Sequence, residues 1–229
     1  VTRKPDEISA DLMQPLATLP VFYALAGRRV LVIGGGEAAA WKVDLAAATG
    51  ARVDVFAPAP CDKLREIGAA RDNVSIHPRA VEPNDFAGAA MALGAIEDDS
   101  LARQAHQWAR AAGVPINLAD RPALSDFIMG AIVNRSPLVI GVSTGGASPV
   151  FAQAVRGRIE TLVPATFQAW ARAAQAWRPF VRASGLDFLA RRDFWRRFTR
   201  LAFREIERAP QEDDRAALIE EARAGAEAT

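Results

Sequence analysis

The sequence predicts an α/β protein whose first half is a mostly parallel sheet, and three observations carry that expectation. Short β-branched runs alternate with Ala-rich helical segments from Arg29 to Leu118, the grammar of strands buried on both faces and joined by crossover helices. A glycine cluster, Gly34-Gly35-Gly36, stands between the first such run and the first helical segment. After Asp120 the alternation stops and a different pattern begins.

Arg29-Val30-Leu31-Val32-Ile33 is the first strand. Glu37 to Thr49 is the first helix, stopped at Gly50, which takes the left-handed conformation without penalty. Val53-Asp54-Val55-Phe56 is the second strand, Val74-Ser75-Ile76-His77 the third and Met91 to Ile96 the fourth. Asp98 and Asp99 are placed to cap a helix carrying Leu101, Ala105, Trp108 and Ala112, ended by Gly113. Val114 to Leu118 is the fifth strand. Beyond it, Phe127–Val133 and Leu138–Val142, joined by the polar connector 134–137, read as an antiparallel pair. Ser148 and Pro149 open a helix whose face carries Val150, Ala154, Val155, Ile159 and Leu162. The last third reads as helical: Phe167, Trp170, Ala174 and Trp177 form a stripe broken near Pro179, and Phe194, Trp195, Phe198 and Leu201 form a second. These aromatics read as core or subunit interface rather than a ligand cage. Residues 211–229, charged and Ala-rich, read as a frayed helix or the start of a linker.

Composition narrows the function classes. The 229 residues carry a net charge of +1, which gives no whole-molecule attraction to nucleic acid. No apolar run approaches the roughly 18 residues of a membrane span. Residues 1–18 lack the apolar segment of a secretory signal and read as a flexible leader. The single cysteine, Cys61, excludes an internal disulfide and fits a reducing cytoplasm. Between Pro60 and Asp62 it reads as a loop or helix-start thiol rather than a nucleophile. His77 and His106 stand alone, with no Cys/His spacing for a caged metal.

Gly34, Gly36 and Ala39 occupy the marked positions of G-x-G-x-x-[GA]. Gly34 permits the tight turn out of the strand, Gly36 lets backbone approach a pyrophosphate, and Ala39 lets the helix pack closely. The helix N-terminus attracts the anion. Lying between an expected strand and helix, the motif points to a Rossmann-like dinucleotide site formed by Gly34, Gly35, Gly36, Glu37 and Ala38, with Pro58 and Ala59 at the end of the second strand. The ribose-binding acid usual at that strand end is absent, and Asp54 lies inside the strand. NAD is therefore a preference over NADP, not a deduction.

Two segments together resemble the siroheme synthase family: LPVFYALAGRRVLVIGGGEAAAWKVDLAAATGARVDVFAP (19–58) its opening, and NLADRPALSDFIMGAIVNRSPLVIGVSTGGASP (117–149) its middle. The aromatic, arginine-rich stretch from Phe194 onward is consistent with it but less specific. The resemblance implies NAD-dependent dehydrogenation of precorrin-2, often joined to ferrochelatase activity on sirohydrochlorin, with ferrous iron as a substrate. It also implies a homodimer with a Rossmann domain (19–125), a small dimerisation domain (126–164) and a helical domain with a charged tail (165–229).

By the same resemblance Asp120 falls on the family's key aspartate. A carboxylate there suits a reaction that removes a hydride and a proton, whereas without the resemblance it reads first as a cap on the turn before Arg121-Pro122. Thr144 falls where other members carry a serine linked to phosphorylation and chelation. The loop Ser143, Thr144, Gly145 and Gly146 suits a substrate carboxylate or simple helix capping. Members often read A-T-x-D after the fourth strand, with an Asn four residues beyond that Asp; here the stretch is Ala95-Ile96-Glu97-Asp98, and Ala102 takes the Asn place.

Residues 187–208 hold seven arginines against four acids, a local charge of +3. Such a helix is a solvated face or an attractor for a tetrapyrrole ringed by carboxylates. Two other functions stay open at this point: another NAD(P)-linked oxidoreductase, and a non-catalytic NAD(P)-sensing module.

Overall fold

The computed structural model describes residues 15–227, so most of the expected leader lies outside the described residues. The chain divides between Met129 and Gly130 into two compact units.

The first unit holds strands β1 (Arg29–Ile33), β2 (Arg52–Phe56), β3 (Val74–His77), β4 (Met91–Gly94) and β5 (Ile116–Leu118), with helices α1 (Glu37–Ala48), α2 (Asp62–Ala70) and α3 (Asp99–Ala111). All neighbouring strands run parallel, in the order β3-β2-β1-β4-β5. Side chains alternate across the sheet, so β1 feeds two cores. Val30 and Val32 pack with Ala39, Val43 and Leu64 of α1 and α2. Leu31 and Ile33 pack with Phe86 and with Ala102 and Ala105 of α3. Alanines at 39, 40, 46 and 47 are buried and let α1 lie close on the sheet. Gly50 follows α1 at φ 80°, and the Asp98 carboxylate accepts from the Leu101 amide at the start of α3.

Several expected strand limits differ; β5 begins at Ile116 rather than Val114, whose amide donates to the Ala109 carbonyl. β4 stops at Gly94 rather than Ile96, because the Ile96 and Glu97 carbonyls leave the ladder to accept from Arg121. Phe127–Gly130 is not strand: the Phe127 carbonyl accepts from the Asn117 amide, and Phe127 and Met129 pack against the α1-side core.

The second unit opens with the antiparallel pair β6 (Ala131–Arg135) and β7 (Leu138–Val142), followed by α4 (Pro149–Leu162), capped by Ser148. Helices α5 (Phe167–Ala183), α6 (Phe188–Arg204) and α7 (Glu212–Glu227) complete it. Trp170, Trp177, Val181, Phe194, Phe198, Leu218 and Ala222 form their core, with the Trp170 and Trp177 rings edge-on to Phe198.

Two expectations are corrected here, at Pro179 and after residue 211. Pro179 does not break the stripe: α5 runs through it. Proline leaves the carbonyl four residues back unbonded, but Gln175 and Pro179 are both exposed, where solvent can satisfy such a group, and buried Trp177 and Val181 hold the helix. The shared α4 face is largely exposed, with Val150 at 79% and Leu162 at 69%, and only Ala152 of the helix is buried. The stretch after 211 is a packed helix, with Leu218 and Ala222 in the core.

Candidate active site

The site is built at the carboxyl ends of the parallel strands. Strand order reverses between β1 and β4, and a crevice at such a reversal is where open α/β sheets take ligands. Gly34 leaves β1 at φ 131°, and any side chain there would collide with the Ala95 carbonyl oxygen. Its would-be Cβ also lies 3.3 Å from the Ala39 methyl, so Ala39 is small for the reason the motif gives. Gly35 lies against the turn after β2: its would-be Cβ would collide with the Ala59 carbonyl oxygen, and its own carbonyl accepts from the Cys61 amide at 2.7 Å. Pro58 and Ala59 are thus brought beside the glycine turn.

Gly36 differs from its neighbours. Its backbone is ordinary, φ −89° and ψ −178°, and a Cβ built on it meets nothing within 4 Å. It is the N-cap of α1 and makes no side-chain cap bond, so Glu37, Ala38 and Ala39 present amides that lack intrahelical acceptors. A bare helix start facing open space at a glycine is a cradle for an anionic group. The residues present fit a dinucleotide's pyrophosphate. At the end of β2, Asp54 is committed to Arg29 at 2.6 Å and lies 3.3 Å from His77, leaving no acid on the Phe56–Ala59 turn.

Asp120 follows β5 at the same edge of the sheet. It is exposed and takes φ 58°, the only non-glycine residue with positive φ among the described residues. Aspartate visits this region more readily than most side chains, yet a turn still has to hold it there. Two sets of bonds do so. The Arg121 guanidinium donates to the Ile96 carbonyl at 2.5 Å, the Glu97 carbonyl at 2.8 Å and Asp99 at 2.7 Å. The guanidinium holds the Asp99 carboxyl below its ordinary range. On the other side, Ser125 Oγ accepts from the Leu118 amide, Asp126 Oδ2 accepts from the Ile116 amide, and the Asp126 amide returns a bond to the Ile116 carbonyl.

Sequence reasoning missed Arg121 and Lys42, and it noted Asn117 only within a motif. Ile96 and Ala102, the departures from the family pattern, are buried in the α3-side core, and Arg121 supplies the bonds that hold their loop. Lys42 is 5% exposed inside α1 and donates to Asn117 Oδ1 at 3.2 Å. Burial pushes its ammonium below the ordinary lysine value, and the Asp120 charge opposes that shift. The signal was available: positions 39, 42, 43 and 46 share one helical face, and on it Lys42 stands among alanines and a valine.

Ser143, Thr144, Gly145 and Gly146 belong to the second unit, in the turn between β7 and α4. Gly145 and Gly146 are left-handed, at φ 63° and 83°. The Ser143 hydroxyl accepts from the Gly145 amide, and Thr144 Oγ1 exchanges bonds with the Ser148 backbone at 3.3 and 3.4 Å. Among the described residues no group of His, Cys, Asp and Glu is arranged to hold a metal ion, and no helix is long and apolar enough to cross a membrane.

This architecture is that of a nucleotide-binding protein of the Rossmann class. Comparison with known proteins is specific about which. Residues 21–131 match a family model described as "Putative NAD(P)-binding", and residues 135–162 match one described as "Sirohaem biosynthesis protein central". The siroheme synthase of Ectopseudomonas mendocina is 39% identical over 208 residues, 91% of this chain and 44% of that protein. Those of Stutzerimonas stutzeri and Halorhodospira halophila (siroheme synthase 1) are each 41% identical over 77% of this chain, and 38% and 37% of their own lengths. A solved structure of SirC, a precorrin-2 dehydrogenase, superposes with a TM-score of 0.66 at 17% identity, covering 90% of this chain and all of that one, which shows a shared fold. The chain belongs to the siroheme synthase family, and it spans less than half the length of these curated relatives.

Proposed function

We propose that this chain oxidises precorrin-2 to sirohydrochlorin with NAD. The observation that carries the reading is the bare start of α1 behind Gly36, on the same sheet edge as Asp120. The amides from Gly36 to Ala38 hold the pyrophosphate, Glu37 borders it, and Pro58 and Ala59 line the turn beside it. Bound NAD supplies a hydride acceptor. Asp120 takes the proton that must leave when the substrate gives up a hydride. The Phe56–Ala59 turn carries no cation of its own, and the Arg79 guanidinium that lies 4.7 Å from the Phe56 ring centre is paired with Asp85, which favours NAD over NADP.

Three further parts belong to the same reading. The Ser143–Gly146 turn receives a substrate carboxylate. Ferrous iron is inserted into sirohydrochlorin as a second activity, iron being a substrate there. The chain works as a cytoplasmic homodimer through the hairpin and α4, whose apolar side chains Val150, Phe151 and Leu162 stand exposed.

The test is anaerobic incubation with precorrin-2 and NAD, following NADH and sirohydrochlorin by absorbance. Asp120→Asn is expected to lose about 10²- to 10⁴-fold in turnover, the usual worth of a positioned proton acceptor, with NAD still bound. Wild-type protein that binds NAD and forms no sirohydrochlorin overturns the dehydrogenase reading. Ferrous iron added to the same cuvette tests the second activity.

A further inference from the structure

A charge buried inside a helix is costly, and a hydrocarbon of similar size is often at least as stable in its place. Lys42 is such a charge. Its side chain lies on the α1 face that otherwise carries Ala39, Val43 and Ala46, all in the sheet core. Where the chain departs from β5 into the turn bearing Asp120, and where it returns, the Lys42 ammonium touches both legs: Asn117 Oδ1 at 3.2 Å on the outgoing side and Met129 Sδ at 3.5 Å on the returning one.

The contact with Asn117 has a second effect. An ammonium only donates, so the Asn117 oxygen must face Lys42 and its Nδ2 must point away. That nitrogen donates to the Phe127 carbonyl at 2.8 Å, which ties the two legs a second time. Between them lie Asp120 in its left-handed conformation and the bonds from Leu118 to Ser125 and from Ile116 to Asp126. The Asp120 charge acts on Lys42 across this neck, while Asp44 on its own helix pairs with Arg71 at 2.6 Å and Asp126 accepts from the Ile116 amide.

We infer that Lys42 is a positioning residue for Asp120, closing the neck of residues 117–129 through Asn117 and Met129 so that the turn presents the carboxylate to the cofactor edge. The inference rests on the reading of Asp120 as the proton acceptor, but its first test does not.

Amide hydrogen exchange is compared in cofactor-free wild type, Lys42→Met, Asn117→Leu and the surface control Lys63→Met. The expected result for Lys42→Met is faster exchange confined to residues 118–127, with the Leu118 and Asp126 amides most affected and β1–β3 unchanged. Turnover should fall roughly 10- to 100-fold, as misplacement of a reacting group does, while the KM for NAD stays within about twofold. Asn117→Leu should behave alike, the double variant should be no worse than either single one, and Lys63→Met should match wild type. Unchanged exchange in the turn, a uniform rise across the sheet, or full turnover in Lys42→Met overturns the inference. If wild type is inactive on precorrin-2 but the turn loosens in Lys42→Met, the dehydrogenase reading fails and the positioning role stands. If Lys42→Met does not fold, Lys42→Gln, which keeps a donor without the charge, is read by the same exchange criterion.

Discussion

The parallel sheet and the β6–β7 hairpin treat the same kind of side chain in opposite ways. In β1 the residues Val30, Leu31 and Val32 have no exposed surface, because α1 and α2 cover one face and α3 the other. In the hairpin only Val133 is fully buried, and α4 turns Val150, Phe151 and Leu162 outward. A two-stranded hairpin is too small a layer for the helices packed on it to bury all its apolar surface, whereas a doubly covered sheet completes its own core. The parallel sheet therefore completes its own core, whereas the hairpin and α4 leave apolar side chains exposed.

The strongest way to break that contrast is inside the first unit. Gly34→Val forces a side chain onto the Ala95 carbonyl at a φ that β-branched residues avoid, and should destabilise the fold by about 3 kcal/mol or more, read by chemical denaturation. Gly36→Val separates folding from binding. With open space beside Gly36 and an ordinary φ, the melting temperature should hold while NAD binding weakens by about 100-fold, as expected when backbone can no longer approach a pyrophosphate. Equal damage from both substitutions would mean that the open space at Gly36 is not a cofactor cradle.

In the second unit the expectation reverses. Phe151→Asp, at a position 61% exposed, should leave the melting temperature of the monomer unchanged and weaken self-association by about 10-fold or more, read by sedimentation, as loss of a buried aromatic at an interface does. The smallest effect concerns α7. The Arg208 guanidinium holds the Asp214 carboxyl below its ordinary value, so the pair adds stability that is present above the unfolded carboxylate value near 3.8 and is lost as pH falls below it. Asp214→Asn should cost about 1 kcal/mol or less near neutral pH and flatten the stability curve in that acid window.

The sheet was legible because each of its strands writes its burial into the chain: β-branched runs, a glycine turn and Gly50 all act locally. For α4, periodicity reported which side chains share a face, not whether the chain itself covers it. Pro179 was misread as a break because the rule counts the lost hydrogen bond and not the Trp177 and Val181 packing that holds the helix. At the site, Gly34, Gly36 and Ala39 carried recognisable signals, since each answers a constraint of its own position, whereas Asp120 was picked out by the family resemblance. Arg121 carried no such signal, because its partner Ile96 lies 25 residues away along the chain, and although the apolar face around Lys42 was legible, its partner Asn117, 75 residues away, was not. Side chains whose meaning depends on such distant partners are silent until the fold brings those partners near.

The stitching of the Asp120 turn has a consequence outside chemistry. β5 is three residues long and lies at the open margin of the sheet, where unpaired amides invite a strand from another molecule. The Ile116 and Leu118 amides are instead taken by Asp126 and Ser125, and the Ile116 carbonyl by the Asp126 amide. The returning segment thus stands in for a sixth strand and seals the margin. A protein loosened in this turn would lose its guard against edge-to-edge aggregation along with the posture of its carboxylate, and its solubility at high concentration would report the damage.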